Sequence, residues 1–338
     1  MNDIREALVK TLTGLVVGKL MVRQAPGLRE RLTTPWTIRE WVPEEGEAAF
    51  HERVADCDAL IGGHVGGTPL PAPHLKLLQI PFTGHDWLDP DLLPAGCVVC
   101  NTYEHEIPIA EYVLLCMLEW QIGLRRLDRE FRAGNWRHSF MFPDAPFHGE
   151  LYGKTVGLVG YGHIARETAQ RAASFGMRVV AVSRRPREAP APLAWYDTLD
   201  GLDRLLAESD YVVLSCPLTV ETRGLFDAAR LARMKPGAVL VNVARGGVVD
   251  EDALYAALMD GPLGGAVLDV WYRYPGAEDP SPRPSRWPFH GLPNVIMTPH
   301  CSTWTAEHLA RRWDFVAANL DRLARGEALL NVVESPGA

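Results

Sequence analysis

The sequence predicts an α/β protein with two doubly wound domains, each built on a parallel sheet, and a cleft between them. Short apolar runs alternate with amphipathic, helix-like stretches in two successive series. The chain has 338 residues, which is more than one ordinary hydrophobic core accommodates. A glycine-rich turn at Gly160 separates a strand-like run from a helix-like run in the second series. This pattern favours parallel strands joined by crossover helices in both domains.

The two series define the predicted domains. Residues 1–107 and 303–338 form the first, a discontinuous flavodoxin-like domain, and residues 108–302 form the second. The strand candidates of the first domain are LVVGKLMV, DALIGG, KLLQIPF and CVVCN. Those of the second domain are KTVGLVG, RVVAVSRR, YVVLSCP, AVLVNVAR, GAVLDVW and NVIMTPH. Pro108 begins one long predicted helix that ends at Gly134, and Thr305 to Ala324 reads as an amphipathic helix.

Composition excludes several classes of function. The net charge of −8 comes without a basic stripe, which argues against nucleic-acid binding. No basic, apolar leader and no apolar run of about 20 residues occurs, so neither a signal peptide nor a membrane span is expected. Six scattered cysteines fit reduced thiols, including the pair Cys97 and Cys100, whose spacing on a strand puts them on opposite faces. We expect a cytoplasmic protein that binds small molecules and has no metal site.

The Gly160 turn matches a dinucleotide-binding fingerprint. Gly160 allows the tight turn, Gly162 lets the backbone approach a pyrophosphate at the helix N-terminus, and Ala165 packs helix against strand. The predicted contacts run through the turn and comprise Gly160, Tyr161, Gly162, His163 and Ile164. A glycine turn in a nucleotide-free protein is the alternative. The flanking strand, helix and second strand favour a Rossmann-like domain that binds NAD(P).

The end of the next strand bears on the choice of cofactor. A site for NAD usually has an acid there that binds the ribose hydroxyls, whereas this strand ends in Ser183, Arg184 and Arg185. Two guanidinium groups and a hydroxyl suit a phosphate dianion. We expect NADP, with the alternative that the arginines are a solvated strand end and that NAD is also accepted.

Beyond the fingerprint, the strings CPLTVETRGLF, MKPGAVLVNVARGGVVDEDAL, GAVLDVW and TPHCS follow in an order and spacing that resemble the D-2-hydroxyacid dehydrogenase family. That family includes glyoxylate/hydroxypyruvate reductases, phosphoglycerate dehydrogenases and formate dehydrogenase. The resemblance covers about residues 60–330. It implies an NAD(P)-dependent dehydrogenase that interconverts a 2-oxo acid and a D-2-hydroxy acid.

The resemblance assigns the catalytic residues. Arg245 of NVARGG would bind the substrate carboxylate and polarise the keto oxygen, because a guanidinium is planar and always charged. His300 of TPH would be the general acid in reduction and the base in oxidation. A surface ion pair for Arg245 and a loop position for His300 are the alternatives.

Further residues carry over from the same strings. Asp269 would hold the nicotinamide carboxamide, and PFTGHD resembles the loop whose backbone N–H groups meet the substrate carboxylate, at Thr83 and Gly84. An ordinary glycine turn is the alternative for that loop. The remaining predicted cofactor contacts are Cys216, Pro217, Thr222, Val243 and Ala244.

One position departs from the family pattern. The family carries a Glu five residues after the aspartate of LDV, paired with the histidine, and here that position is Tyr274. Formate dehydrogenases carry an amide there. A neutral phenol does not stabilise an imidazolium as a carboxylate does, so we expect His300 to titrate lower than in Glu-bearing relatives. Glu278 or Asp279 could replace the missing acid through a rearranged loop.

These observations predict NADPH-dependent reduction of a 2-oxo acid, as in glyoxylate/hydroxypyruvate reductases. The alternatives are formate-dehydrogenase-like oxidation, favoured by DVWYRYP, and a nucleotide-sensing regulatory protein on the same fold. The aromatic segment after Gly134 predicts a contact surface for a homodimer.

Overall fold

The computed structural model describes residues 10–85, 87–185, 189–276 and 279–333. They divide into two compact units. The first contains the described residues up to Glu104 and from Thr305 onward, and the second is His105–Trp304. The domain boundaries expected from the sequence, at 107/108 and 302/303, lie two or three residues from these divisions.

The first unit contains a parallel sheet of five described strands in the order β2-β1-β3-β4-β5. Its strands are β1 (Leu12–Val17), β2 (Trp36–Trp41), β3 (Ala59–Ile61), β4 (Leu77–Gln79) and β5 (Val98–Cys100). Its helices are α1 (Lys19–Arg29), α2 (Gly46–Val54) and α9 (Ala306–Arg325). Side chains of β1 enter different cores on the two faces, Leu15 in one and Val16 in the other. This burial of both faces accounts for the apolar runs in the sequence.

The second unit contains a parallel sheet of seven described strands in the order β12-β11-β10-β9-β6-β7-β8. Its strands are β6 (Thr155–Val159), β7 (Arg178–Val182), β8 (Leu193–Asp197), β9 (Tyr211–Leu214), β10 (Val239–Asn242), β11 (Gly265–Leu268) and β12 (Val295–Met297). Its helices are α3 (Glu106–Ile122), α4 (Leu124–Arg132), α5 (His163–Ser174), α6 (Leu202–Glu208), α7 (Ala228–Arg233) and α8 (Glu251–Met259). The predicted α/β class with two parallel sheets is confirmed.

Two strands, β2 and β8, were not expected from the sequence. Both lie at an edge of their sheet and are only partly buried. An edge strand has no continuous apolar run because part of its surface faces water, so WTIREW and LAWYD carry no strong signal. The pair Cys97 and Cys100 packs into cores on opposite faces, as predicted, with Cys100 buried and Cys97 half-buried.

The prediction of one long helix from Pro108 to Gly134 is wrong. Gly123 adopts a left-handed conformation, with φ of 68°, and ends α3, whose C-terminal cap it forms. The next helix, α4, starts at Leu124 and is bent by 53° from α3. Glycine tolerates this conformation, which would strain a residue with a side chain. No single helix of the described residues has the length and apolarity to cross a membrane, although α3 and α4 together pass that test as a bent pair.

The C-terminal helix α9 is tied to the turn between α1 and β2. Thr305, where the predicted helix begins, caps its N-terminus by accepting a hydrogen bond from the backbone of His308. Near its other end, the buried carboxylate of Asp321 accepts hydrogen bonds from the backbone N–H groups and hydroxyls of Thr33 and Thr34. Residues almost 290 positions apart are thereby joined, and the first unit contains both ends of the described chain.

We predict that Asp321→Ala lowers the free energy of unfolding by about 2–3 kcal/mol, because two N–H groups and two hydroxyls lose a charged acceptor. The control Asp314→Ala removes an exposed ion pair to Arg31 on the same helix and should cost less than about 1 kcal/mol. Burial by itself would raise the pKa of Asp321, but its hydrogen bonds hold that pKa below the ordinary value. The difference in unfolding free energy between the two variants, measured by urea unfolding, should therefore shrink as the pH falls below about 4. Equal losses of stability at neutral pH would contradict the role given to Asp321.

Candidate active site

The predicted site residues of the second unit follow the carboxyl ends of six neighbouring strands. Because the strands are parallel, these ends lie along one edge of the sheet. In sheet order the residues are His300 after β12, Asp269 after β11, Arg245 after β10, Cys216 after β9, Gly160 after β6 and Ser183 after β7. The chain passes from β6 to β7 on one side and later to β9 on the other, so the Gly160 turn lies at the point where strand order reverses. Open α/β sheets bind ligands at this point.

The turn between β6 and α5 has the geometry of a phosphate cradle. Gly160 has φ of 89°, and a Cβ there would lie 2.9 Å from the Cα and the backbone nitrogen of Cys216. Gly162 is the N-terminal cap of α5, has no side-chain cap and would point a Cβ into open space. The first N–H groups of a helix have no acceptor within the helix, and at this N-cap no side chain supplies one. A pyrophosphate fits this position, at the positive end of a helix of 12 residues.

The end of β7 presents two unpaired cations. Arg184 and Arg185 are exposed, and neither forms an ion pair within the described part of the chain. The Ser183 hydroxyl lies 2.6 Å from the hydroxyl of Tyr196 on β8. The neighbouring strand end carries Asp197, whose Oδ1 accepts from the N–H of Thr198 at 2.7 Å.

The segment after β9 is shaped by a threonine. The Thr222 hydroxyl donates to the carbonyl of Pro217 at 2.6 Å and accepts from the N–H of Thr219 at 2.7 Å. Ser215 is bound to the carbonyl of Gly160, which joins this segment to the glycine turn. The structure thus gives Thr222 a place inside the loop, where its hydroxyl is engaged by the protein itself.

Arg245 follows β10 in an extended conformation. One of its guanidinium nitrogens donates to the carbonyl of Ala244 at 2.8 Å, which leaves the other donors of the fork for a ligand. The next residue, Gly246, packs on the backbone after β11, since a Cβ there would lie 2.3 Å from the carbonyl oxygen of Trp271. The glycine that follows Arg245 in the ARGG string is therefore required for packing. Val243 and Ala244, between β10 and Arg245, are buried.

Asp269 is fully buried and binds the loop that carries His300. Its Oδ1 accepts hydrogen bonds from the Thr298 hydroxyl at 2.6 Å and the Cys301 N–H at 2.9 Å. Its Oδ2 accepts from the Ser302 N–H at 3.0 Å. Asp269 thus holds the backbone on both sides of His300, a role that the sequence analysis did not assign.

His300 and Tyr274 are neighbours. Their ring centroids lie 5.5 Å apart, and the Tyr274 hydroxyl accepts a hydrogen bond from the N–H of Trp271 at 3.1 Å. No described carboxylate forms a hydrogen bond with the imidazole. Asp279 accepts instead from the N–H of Ser281, and Glu278 lies outside the described residues.

The surroundings of His300 disfavour its charged form. His300 is exposed by surface area, yet nearby protein atoms partly desolvate its ring and lower its pKa; Asp269 opposes this effect, and the positive charge of Arg245 adds to it. Burial raises the pKa of Tyr274, so this residue is a neutral phenol near neutral pH. His300 also has φ of 55°, a conformation that is uncommon without glycine and that its anchored neighbours hold.

Thr83 and Gly84 lie in the first unit, on the loop after β4. The Thr83 carbonyl accepts from the side-chain amide of Asn101 at 3.0 Å, and the Gly84 carbonyl accepts from the indole N–H of Trp87 at 3.1 Å. These contacts shape the loop. The predicted role of its N–H groups stays a prediction.

Two residues with a place at the site escaped the sequence analysis. Thr298 lies inside the quoted string TPH, and its position two residues before His300 could have drawn attention to it. Tyr112 lies far away in sequence on α3, and nothing in the sequence marks it, but its hydroxyl is 2.6 Å from that of Thr298.

Comparison with known proteins identifies the family. Residues 114–302 match the family model described as D-isomer specific 2-hydroxyacid dehydrogenase, NAD binding domain. A glyoxylate reductase of Korarchaeum cryptofilum is 34% identical over 293 residues, 83% of this chain and 84% of that protein. Glyoxylate/hydroxypyruvate reductase B of Pectobacterium carotovorum is 34% identical over 306 residues, 88% of this chain and 91% of that protein.

Solved structures of 2-hydroxyacid dehydrogenases are also similar to this chain. The D-isomer specific 2-hydroxyacid dehydrogenase from Xanthobacter autotrophicus Py2, solved with NADPH and MES, is similar with a TM-score of 0.75 and 28% identity. The similarity covers 96% of this chain and 98% of that one. The chain belongs to the D-isomer specific 2-hydroxyacid dehydrogenase family of NAD(P)-dependent enzymes.

Proposed function

We propose that this enzyme uses NADPH to reduce a small 2-oxo acid, such as glyoxylate or hydroxypyruvate, to the D-2-hydroxy acid. The observation that carries the proposal is the row of side chains along one sheet edge, with Arg245 and His300 on either side of Asp269 and the Gly160 turn further along. The names of the relatives from Korarchaeum and Pectobacterium support the substrate class.

Different residues would bind the cofactor and the substrate. The turn from Gly160 to Ile164 would hold the pyrophosphate, and Arg184 and Arg185 would bind the 2′-phosphate with Ser183. When bound, the cofactor supplies a hydride from the nicotinamide ring. Arg245 would bind the substrate carboxylate through the donors that Ala244 leaves free.

His300 would donate a proton to the carbonyl oxygen in reduction. Desolvation, with a smaller contribution from the charge of Arg245, lowers the pKa of His300, which makes its imidazolium a stronger acid. Tyr274, in place of the family's Glu, adds no negative charge to oppose this effect. For Asp269 the contact with the carboxamide stays a prediction, since three of its acceptor sites already hold the His300 loop.

A homodimer is also proposed. Seven large apolar side chains on α4 and the segment after it are at least half exposed: Leu124, Phe131, Trp136, Phe140, Met141, Phe142 and Phe147. Phe140 and Phe147 are almost completely exposed, at 96% and 101%. An exposed apolar stretch of this size is typical of a surface that another protein covers.

We predict turnover of 2-oxo acids with NADPH at a kcat/KM at least about ten-fold above that with NADH. Arg184→Ala with Arg185→Ala should lower kcat/KM for NADPH by about 10- to 100-fold, because charge-assisted contacts with the phosphate are lost, and should leave NADH nearly unchanged. The control Arg178→Ala removes an arginine from the opposite end of the same strand. Cofactor absorbance, measured with a panel of 2-oxo acids, is the readout.

Other outcomes of that panel decide between the candidates. Equal use of NADH and NADPH would contradict the assignment of Arg184 and Arg185. Oxidation of formate with no reduction of 2-oxo acids would favour the formate-dehydrogenase alternative. Tight NADPH binding without any turnover would favour a nucleotide sensor.

We predict that kcat/KM for reduction falls as the pH rises through a pKa below about 6.5, since the imidazolium is the acid and its pKa is lowered. Tyr274→Glu should move this fall to higher pH, because a carboxylate stabilises the imidazolium. Tyr274→Gln is a neutral control and should leave the profile near that of the wild type. Identical profiles for the Glu and Gln variants would refute the role given to Tyr274.

We predict that the wild type sediments at twice the chain mass of 37.4 kDa. Phe140→Asp with Phe147→Asp should shift it to the monomer, because burying two carboxylates in an apolar contact is costly. Met259→Asp, at an exposed apolar position on α8, is the control. A wild-type monomer across micromolar concentrations would overturn the proposed dimer.

A further inference from the structure

A tyrosine on α3 ends a chain of hydrogen bonds that leads to the loop carrying His300. The hydroxyl of Tyr112 lies 2.6 Å from Oγ1 of Thr298, and that same Oγ1 lies 2.6 Å from Oδ1 of Asp269. These bonds join α3 to the segments after β11 and β12. The reaction steps proposed above make no use of Tyr112.

The direction of the chain follows from the number of hydrogens. A threonine hydroxyl has one hydrogen, and an ionised carboxylate only accepts. Thr298 therefore gives its hydrogen to Asp269, and Tyr112 must give its own to Thr298. The order is Tyr112 O–H to Thr298 O–H to Asp269, in which each bond polarises the next.

The chain of hydrogen bonds reaches residues on both sides of His300. Thr298 lies two residues before it, and Cys301 follows it with its N–H on the same carboxylate oxygen of Asp269. The Thr298 carbonyl is also held, by the indole N–H of Trp271 at 2.8 Å. His300 itself has φ of 55° and depends on these anchored neighbours to keep that conformation.

We propose that Tyr112 is a positioning residue for the reaction, holding His300 through Thr298 and Asp269. The phenol sets the direction of the Thr298 hydroxyl, and through it the share of the Asp269 charge that acts on the imidazole. This inference rests on the proposed role of His300 as the acid and base.

The ionisable groups that face this chain of hydrogen bonds do not interfere with a titration of His300 near neutral pH. His300 is faced by Asp269 after β11, by Arg245 after β10 and by the ring of Tyr274. Tyr112 is faced by Asp269 and by Cys116 on its own helix. Burial raises the pKa of Tyr112, and burial raises that of Cys116 to about 11, so both keep their protons between pH 5 and about 9.

The variant Tyr112→Phe removes only the donor. The Thr298–Asp269 bond should weaken, and more of the carboxylate charge should then act on His300. We expect the pKa of His300 to rise by about 0.5. It is measured by NMR titration of protein labelled with ¹⁵N-histidine, with the His300 signal assigned from His300→Gln, so the readout needs no turnover.

A double-mutant cycle tests whether Tyr112 acts through Thr298. Thr298→Val removes the central hydroxyl at nearly constant volume, and adding Tyr112→Phe to it should then change the pKa of His300 no further. Tyr211→Phe is the matched control, because Tyr211 is a buried phenol in the same unit that bonds to Gln121 and to the Met117 carbonyl. It should leave the pKa of His300 unchanged.

Kinetics give a second readout. Tyr112→Phe should lower kcat for reduction about ten-fold, the effect of one buried hydrogen bond on a positioned acid, with less than about two-fold change in KM for NADPH. An unchanged pKa of His300 in Tyr112→Phe, or additive effects in the double variant, would overturn the proposal. Suppose that Tyr112→Phe shifts the pKa of His300 but the wild type turns over no 2-oxo acid. This result would support the chain of hydrogen bonds and would overturn the proposed reaction.

Discussion

The buried carboxylate of Asp269 organises the loop that carries His300. It follows β11 and collects three donors from the segment after β12, namely Thr298, Cys301 and Ser302. A carboxylate buried in this way is stable only when donors satisfy it, and here the donors are the residues that flank His300. The left-handed backbone of His300 therefore lies between residues that this one group anchors.

The cofactor end of the site depends on the absence of side chains. At Gly160 a Cβ would press on the backbone of Cys216, and at Gly246 a Cβ would meet the carbonyl of Trp271. Both glycines let neighbouring strand ends approach each other along the sheet edge. Gly162 at the start of α5 and Arg245 after β10 lie next to these two glycines.

The surroundings of His300 combine a neutral partner with a positive neighbour. Desolvation and Arg245 lower the pKa of His300, while Tyr274 contributes a ring contact and no charge. In such surroundings the imidazolium is a strong acid and is less populated at neutral pH. The hydrogen-bond chain from Tyr112 joins a distant helix to the loop that carries His300.

The sequence by itself determined the α/β class, the turn at Gly160 and the family, because buried parallel strands are apolar runs and because glycine turns and NVARGG are local patterns. Only the tertiary structure decided what depends on contacts between distant segments. The edge strands β2 and β8 lack a continuous apolar signal, and the break at Gly123 lies inside a run of good helix formers. The partnership of Tyr112 with Thr298 joins residues 186 positions apart, and no local pattern records it.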